Sequence, residues 1–184
     1  SPVKTKTDFS VQALNTPLQN EVNPLTAEKQ TWGAFRDGDR VIVTQNNSYY
    51  NICNGDVGVL YIRGEKPHRI ATLAVRGTLK TWQIDCVEKY GAANDDAPPP
   101  RLALAYALTV HKSQGSEFEA VVMPLERRHP RLHYRNLLYT AVTRARRLLI
   151  MTGQRETVYA MVQNDRRTLR YTNQKEMLRE MVEE

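Results

Sequence analysis

The chain has 184 residues, 41% of them hydrophobic and 25% charged, the balance of a globular protein long enough for one domain or two small ones around a real core. No apolar run approaches the roughly 20 residues that a membrane-spanning helix needs, so a cytoplasmic chain without a membrane partner is expected. The net charge of +6 is unevenly placed: residues 1–100 carry 11 Lys/Arg against 11 Asp/Glu, and residues 101–184 carry 15 against 9. The basic excess therefore lies in the second half, as a polyanion-facing surface or as an Arg-rich solvated one. Cys53 and Cys86 have no metal-ligand spacing and suit a reducing compartment better than a disulfide framework. The chain opens Ser1-Pro2-Val3, with no initiator Met and no signal peptide, and reads as a piece of a longer protein.

Along the chain, residues 8–22 predict a helix with Phe9, Leu14, Leu18 and Val22 on one stripe. Pro17 interrupts it: either the helix starts late, with Thr16 as N-cap, Pro17 at the first position and Gln19 closing a capping box, or it is kinked. Pro24 ends it either way. Strand grammar follows from Gly38 to about Val87. Residues 41–44 predict one strand, residues 49–53 and 57–62 a hairpin turned at Asn54-Gly55, and residues 70–75 and 79–84 a second hairpin turned at Arg76-Gly77. Short strands with tight turns suggest a small antiparallel barrel. Residues 91–100, rich in Ala, Asp and Pro, read as a stiff polar linker. Beyond it the grammar is α/β: an ambiguous stretch at 102–110, an apolar strand at 120–125, a helix at 136–147, a buried strand at 148–151 stopped by Gly153, and helices at 155–163 and 174–182. His129 and His133 stand in a basic loop with no suitably spaced third ligand, so no metal site is expected there.

Two segments stand out as chemistry. One is Thr109-Val-His-Lys-Ser-Gln-Gly-Ser-Glu-Phe118; the other is Tyr139-Thr-Ala-Val-Thr-Arg-Ala-Arg-Arg147. They resemble motifs V and VI of the RecD/TraA-type superfamily 1 DNA helicases. Ala13-Leu-Asn with Leu18-Gln and Asn23-Pro24 resembles the same family's motif IV region, and residues 38–47 with Asn54-Gly-Asp-Val-Gly58 resemble its next block, so the likeness runs through the chain in the family's order.

The resemblance implies an α/β fold: the second RecA-like lobe of a P-loop NTPase, a parallel sheet with flanking helices, formed by residues 1–37 and 99–184. Residues 38–98 would be an inserted small antiparallel SH3-like β-barrel with its linker. It also implies ATP-driven 5′→3′ translocation on single-stranded DNA and duplex unwinding, with ATP and Mg²⁺ bound together with an N-terminal lobe in cis, and possible nuclease or recombination partner subunits. In such a motor the second lobe supplies an arginine finger, because a guanidinium offers several donors and keeps its charge. Arg144 is that residue by resemblance, expected on a helix; from composition alone it is one more surface arginine beside Arg146 and Arg147. Gln114, Gly115 and Glu117 are implied on the nucleotide side, Gly115 for close backbone approach and Glu117 for the ribose. Thr109 and His111 are implied as DNA contacts. Lys112 adds phosphate attraction or simply favours a helix C-terminus, and Ser116 with Glu119 also reads as a capping box. Asn46, Asn47 and Tyr49 combine amides with an aromatic face, as single-strand binders do; the plainer alternative is a polar turn with its tyrosine buried.

Two rivals remain open from the residues: a non-catalytic DNA-binding module, and the helicase half of a conjugative relaxase. No Gly-x-x-x-x-Gly-Lys-Ser/Thr phosphate loop occurs in the chain. The expected outcome is therefore that the purified chain hydrolyses no ATP; a clear ATPase rate abolished by Arg144→Ala would overturn it.

Overall fold

The computed structural model describes residues 9–85, 99–125 and 132–165. The first helix, α1 (Val11–Val22), is capped by Ser10, whose hydroxyl accepts from the Ala13 N–H at 3.2 Å. This corrects the late start at Thr16. Pro17 lies inside the helix, where it removes one backbone donor, and the good cap at Ser10 lets the helix begin a turn and a half earlier. The expected apolar stripe is also corrected. Phe9 and Val22 are exposed, Leu14 and Leu18 are half-buried, and the buried face carries Asn15 and Gln19, followed by Asn23.

After α1 a short ribbon, β1 (Thr31–Trp32) with β2 (Phe35–Arg36), leads into an antiparallel sheet. Its strands are β3 (Asp39–Val43), β4 (Val57–Arg63), β5 (Ile70–Val75), β6 (Thr78–Gln83) and β7 (Leu102–Leu104), in the order β6-β5-β4-β3-β7. The Arg76-Gly77 hairpin forms as expected, both residues having positive φ, 49° and 72°, the signature of a two-residue type I′ turn. The hairpin at Asn54-Gly55 is corrected. Residues 49–53 form no strand; Asn47 and Ile52 make an isolated bridge, and β4 pairs instead with β3, Ile42 opposite Val57. Side chains decide this locally: Asp56 accepts from the Cys53 N–H at 2.8 Å and Asn46 from the Asn54 N–H at 2.7 Å, so side-chain caps take the place of ladder bonds. The sheet is open, with β6 and β7 at its edges, and no closed barrel is found among the described residues. Because β7 lies at 102–104, the sheet draws strands from both sides of residues 86–98. Its core is Val41, Val43, Leu60, Ile62, Ala71 and Leu73, all fully buried, with Trp82 and Ile84.

The last part of the chain is α/β. The strands β8 (Phe118–Leu125) and β9 (Ala145–Gly153) run parallel, joined through α2 (Arg135–Val142), and α3 (Arg155–Gln163) follows. Met123, Leu125, Leu137, Leu138, Ala141 and Met161 form a second core. The helix expected over 136–147 stops at Val142, because residues from Ala145 onward are drawn into the parallel ladder with β8. The strand expected to be buried at 148–151 leaves Leu148, Ile150 and Met151 exposed. Residues 102–110 settle as β7 followed by turns, and Ser116 with Glu119 caps no helix, since β8 begins at Phe118. The helix expected at 174–182, nearly all of the linker and His129 lie outside the described residues.

One buried carboxylate ties α1 and the segment after β7 to the antiparallel sheet. Asp39, at the start of β3, is fully buried. Its Oδ2 accepts from Gln19 Nε2 at 2.6 Å and from the Arg36 N–H at 2.7 Å; its Oδ1 accepts from Asn23 Nδ2 at 2.6 Å and from the Tyr106 hydroxyl at 2.8 Å. Nearby, Asn15 pairs with the Ala107 backbone, Nδ2 donating to the carbonyl at 3.1 Å and Oδ1 accepting from the N–H at 3.0 Å. Burial, and next the hydrogen bond and charge of Asp39, push the Tyr106 phenol above its ordinary range. A group protonated more firmly in the folded state contributes its full stability below the unfolded value of about 10 and loses it as pH rises through the folded value. Tyr106→Phe is expected to cost about 1.5–3 kcal/mol in urea unfolding at neutral pH, the range for a hydrogen bond to a charged group. That deficit is expected to shrink above pH ~10, and an equal deficit at neutral and alkaline pH would contradict the assignment.

Candidate functional site

Residues 109–115 fold as consecutive tight turns between β7 and β8. Ser113 N–H bonds the Thr109 carbonyl, Gln114 N–H that of His111, and Ser116 N–H that of Ser113, at 3.1, 3.3 and 3.0 Å. The side chains reinforce this: Thr109 Oγ1 accepts from the Lys112 N–H at 3.2 Å, and the Ser113 hydroxyl donates to the Val110 carbonyl at 2.8 Å. Val110 is buried in the second core and anchors the turns from below. His111, Gln114, Gly115 and Glu117 are exposed, and Thr109 and Lys112 half-exposed. Thr109 uses its hydroxyl as an acceptor, which leaves its proton for an outside group. Gly115 has φ +86°, and a Cβ built there meets nothing within 4 Å. Glycine is needed at this point for its left-handed backbone, and open space lies beside it.

Arg144 sits in the turn between α2 and β9, just beyond the helix C-cap Thr143, and not on the helix where it was expected. The helix terminates before it because β9 pairing begins one residue later. Its guanidinium is nonetheless held: Nε donates to the Thr140 carbonyl at 3.1 Å, Nη1 to the Ser116 carbonyl at 3.0 Å and Nη2 to Thr143 Oγ1 at 3.1 Å. Its own carbonyl accepts from the Phe118 N–H at 2.8 Å. Arg144 thus meets the other motif through its side chain, at Ser116, 28 positions away, and through its backbone, at Phe118. A second tie lies alongside: Arg146 Nε contacts Glu117 Oε2 at 2.7 Å. This pair is solvent-exposed, and such pairs contribute about 0–1 kcal/mol, so it orients Glu117 more than it stabilises the fold.

The remaining DNA candidates sit elsewhere, on the excursion of residues 44–56 between β3 and β4. Asn46 is occupied in capping Asn54, and Asn47 Oδ1 accepts from the Tyr50 N–H at 3.3 Å. Tyr49 is 67% exposed. Its ring meets Tyr50 edge-on at 4.9 Å between centroids, and Tyr50 in turn lies 5.8 Å from Trp82. The structure therefore brings Thr109, His111, Lys112, Gln114, Gly115, Glu117 and Arg144 into one region, and leaves Asn46, Asn47 and Tyr49 on the excursion between β3 and β4. It also adds participants that sequence reasoning missed, namely the Ser116 carbonyl, Thr143 and Arg146. A backbone carbonyl carries no sequence signal; Thr143 stood beside Arg144 and was passed over.

A cavity of about 540 Å³ opens between α1, residues 105–110 and β8, lined by Leu14, Leu18, Tyr106, Phe118, Val121 and Arg144 among others. Its lining is mostly apolar, with Arg40 and Arg144 the charged members, and Gln114, Gly115 and Glu117 are not part of it. It suits packed side chains more than phosphates. Among the described residues no group of three or more His, Cys, Asp or Glu is placed to hold a metal, and no helix is long and apolar enough to cross a membrane. The Arg144 donors fit a phosphate, and among the described residues no carboxylate cluster suited to Mg²⁺ accompanies them.

Residues 104–152 match the UvrD-like helicase C-terminal domain family. The chain is 36% identical over 141 residues to the ATP-dependent RecD2 DNA helicase of Deinococcus radiodurans, a match covering 76% of this chain and 16% of that protein. It is 32% identical over 127 residues to the RecBCD enzyme subunit RecD of Mycolicibacterium smegmatis, covering 69% of this chain and 20% of that one. The chain thus spans a fifth or less of these relatives' length. Among solved structures, Pif1 helicase from Bacteroides, in complex with ADP-AlF3 and ssDNA, superimposes with a TM-score of 0.54 over 98% of this chain and 47% of that one, at 14% identity. That likeness supports the fold, a helicase C-terminal RecA-like arrangement of a parallel sheet with added antiparallel strands. Gly115→Ala is expected to cost about 1–2 kcal/mol from left-handed backbone strain alone, since no neighbour would clash; a chemical-denaturation midpoint equal to that of the unaltered chain would contradict the strain.

Proposed function

The chain is homologous to RecD-type helicases over most of its length and carries a UvrD-like helicase C-terminal domain at residues 104–152, and from that premise we propose that it is the second motor lobe of an ATP-dependent 5′→3′ DNA helicase. In the full-length protein it would close over ATP and Mg²⁺ bound to a preceding lobe in cis, and couple hydrolysis to movement along single-stranded DNA. The observation that carries this reading is the anchoring of Arg144 on the Ser116 carbonyl, which joins the two motifs into one site with Gly115 and Glu117. Arg144 acts as the arginine finger, stabilising charge on the transferring phosphoryl group. Gln114, Gly115 and Glu117 face the nucleotide, with Glu117 on the ribose once it turns from Arg146. Thr109, His111 and Lys112 face DNA, the hydroxyl and ammonium toward phosphate.

Residues 1–37 and 99–184 constitute the RecA-like lobe in this proposal, and residues 38–98 an inserted unit of SH3-like ancestry, seen as an open sheet completed by β7. Asn46, Asn47 and Tyr49 offer that unit a stacking and amide surface for unpaired bases. The basic excess of residues 101–184 supports a polyanion partner. Association with partner subunits follows the relatives named as RecBCD enzyme subunits; nuclease or recombination subunits and a cytoplasmic setting belong to the same proposal.

In the full-length helicase, Arg144→Lys is expected to lower the ATP turnover number by on the order of 10³, since a single ammonium replaces the planar donor fork, with single-stranded DNA affinity kept. Turnover at the unaltered rate in that variant would remove the finger assignment.

A further inference from the structure

Resting on the reading of Arg144 as the finger, we infer that Thr143, together with the Ser116 carbonyl, is a positioning group that sets the guanidinium of Arg144 for the phosphoryl group. The argument starts from donor arithmetic. An arginine side chain has five N–H donors. Three are engaged within the described residues, one each with Thr140 O, Ser116 O and Thr143 Oγ1. One N–H on each terminal nitrogen is left over, the pair that a two-pronged contact to phosphate oxygens uses. The inward bonds therefore orient the fork and do not consume it.

Thr143 is fit for this role by its own bonds. Its hydroxyl sits within 3.0 Å of the Tyr139 carbonyl and 3.1 Å of the Thr140 carbonyl, in the last turn of α2, where the same two carbonyls also accept from the Thr143 N–H and from Arg144 Nε. A hydroxyl has one proton, and these two carbonyls take it between them. The oxygen's lone pairs must then face away from the helix, toward Arg144 Nη2. The helix end thus fixes the hydroxyl and the hydroxyl fixes the guanidinium. Arg144 lies outside the helix, tied to it by its N–H on the Ala141 carbonyl at 3.2 Å and by Nε on the Thr140 carbonyl, so the Thr143 hydroxyl is the contact that reaches Nη2.

The third anchor makes the arrangement sensitive to the other motif. The Ser116 carbonyl follows Gly115, whose left-handed backbone sets the direction of the chain into β8. A shift in the turns at 109–115, where the proposed DNA contacts lie, moves the acceptor that holds Nη1. Hydroxyl and carbonyl grip the two terminal nitrogens separately, so losing either lets the fork rotate about the remaining contacts.

The test uses the full-length helicase with Thr143→Val, which keeps the side-chain shape and removes the acceptor, and Thr143→Ser, which keeps it, each alone and combined with Arg144→Ala. Thermal unfolding of each variant serves as the control for folding. The expected result is a fall in kcat of about tenfold for Thr143→Val, the scale of a modest misplacement of a catalytic group, with KM for ATP unchanged. Thr143→Ser stays near the unaltered rate, and Thr143→Val adds nothing in the Arg144→Ala background. Unaltered kcat in Thr143→Val, equal losses for Val and Ser, or a further loss on top of Arg144→Ala would overturn the positioning role while leaving the finger in place. Unaltered turnover in Arg144→Ala alone would overturn the finger reading and this inference together.

Discussion

A carboxylate cut off from water is tolerated only where its lone pairs are met by donors, and Asp39 meets that demand with four. The donors come from α1, from β2 and from the segment that follows β7, so the charge cannot be satisfied unless those parts of the chain converge. That convergence joins α1 and the segment after β7 to the antiparallel sheet. Gln19 and Asn23 reach Asp39 from successive turns of one helix face, and Asn15, a turn earlier, holds the Ala107 backbone by both its donor and its acceptor. A polar face on α1 is therefore the seam between that helix and the antiparallel sheet. Seams of this kind specify geometry where greasy surfaces would tolerate sliding.

The seam controls the site by controlling where residues 105–107 lie. From that fixed point the chain has only a few residues before the turns at 109–115, whose Val110 dips into the second core. The turns deliver Ser116 to the end of α2, where Arg144 takes its carbonyl. Each step constrains the next, and so the two motifs meet. The buried Arg69–Asp85 pair does similar work at the far side of the sheet, with Arg69 also bonding the Thr31 carbonyl at 2.6 Å. The guanidinium holds the Asp85 carboxyl below its ordinary range.

The chemical character of the site follows from the groups it presents. It presents a guanidinium with directed donors, an open glycine turn and an exposed acid beside a basic surface. In the proposed motor such a set would complete a phosphate-binding cleft begun on another lobe, and its contribution would be conditional on closure. Arg144 in a turn, braced at three points, combines reach with order more readily than a helix position would.

Much of the antiparallel sheet was legible from residues, because alternating apolar positions and the Arg76-Gly77 turn encode β5 and β6 locally. The motif residues were legible too, since their types and spacing carry the family's pattern with no need of coordinates. Three features were decided only by tertiary structure. The 54–55 turn was reassigned because Asp56 and Asn46 capped the backbone and β4 found β3. The helix at 136–147 was shortened because β8 offered Ala145 a ladder stronger than helix propensity. The buried face of α1 proved polar because Asp39, sixteen and twenty residues away, needed Asn23 and Gln19. Local sequence determines what a segment can form and which groups it carries; long-range hydrogen bonds and burial choose among the forms, because only the assembled chain shows which buried polar group must be satisfied and by whom.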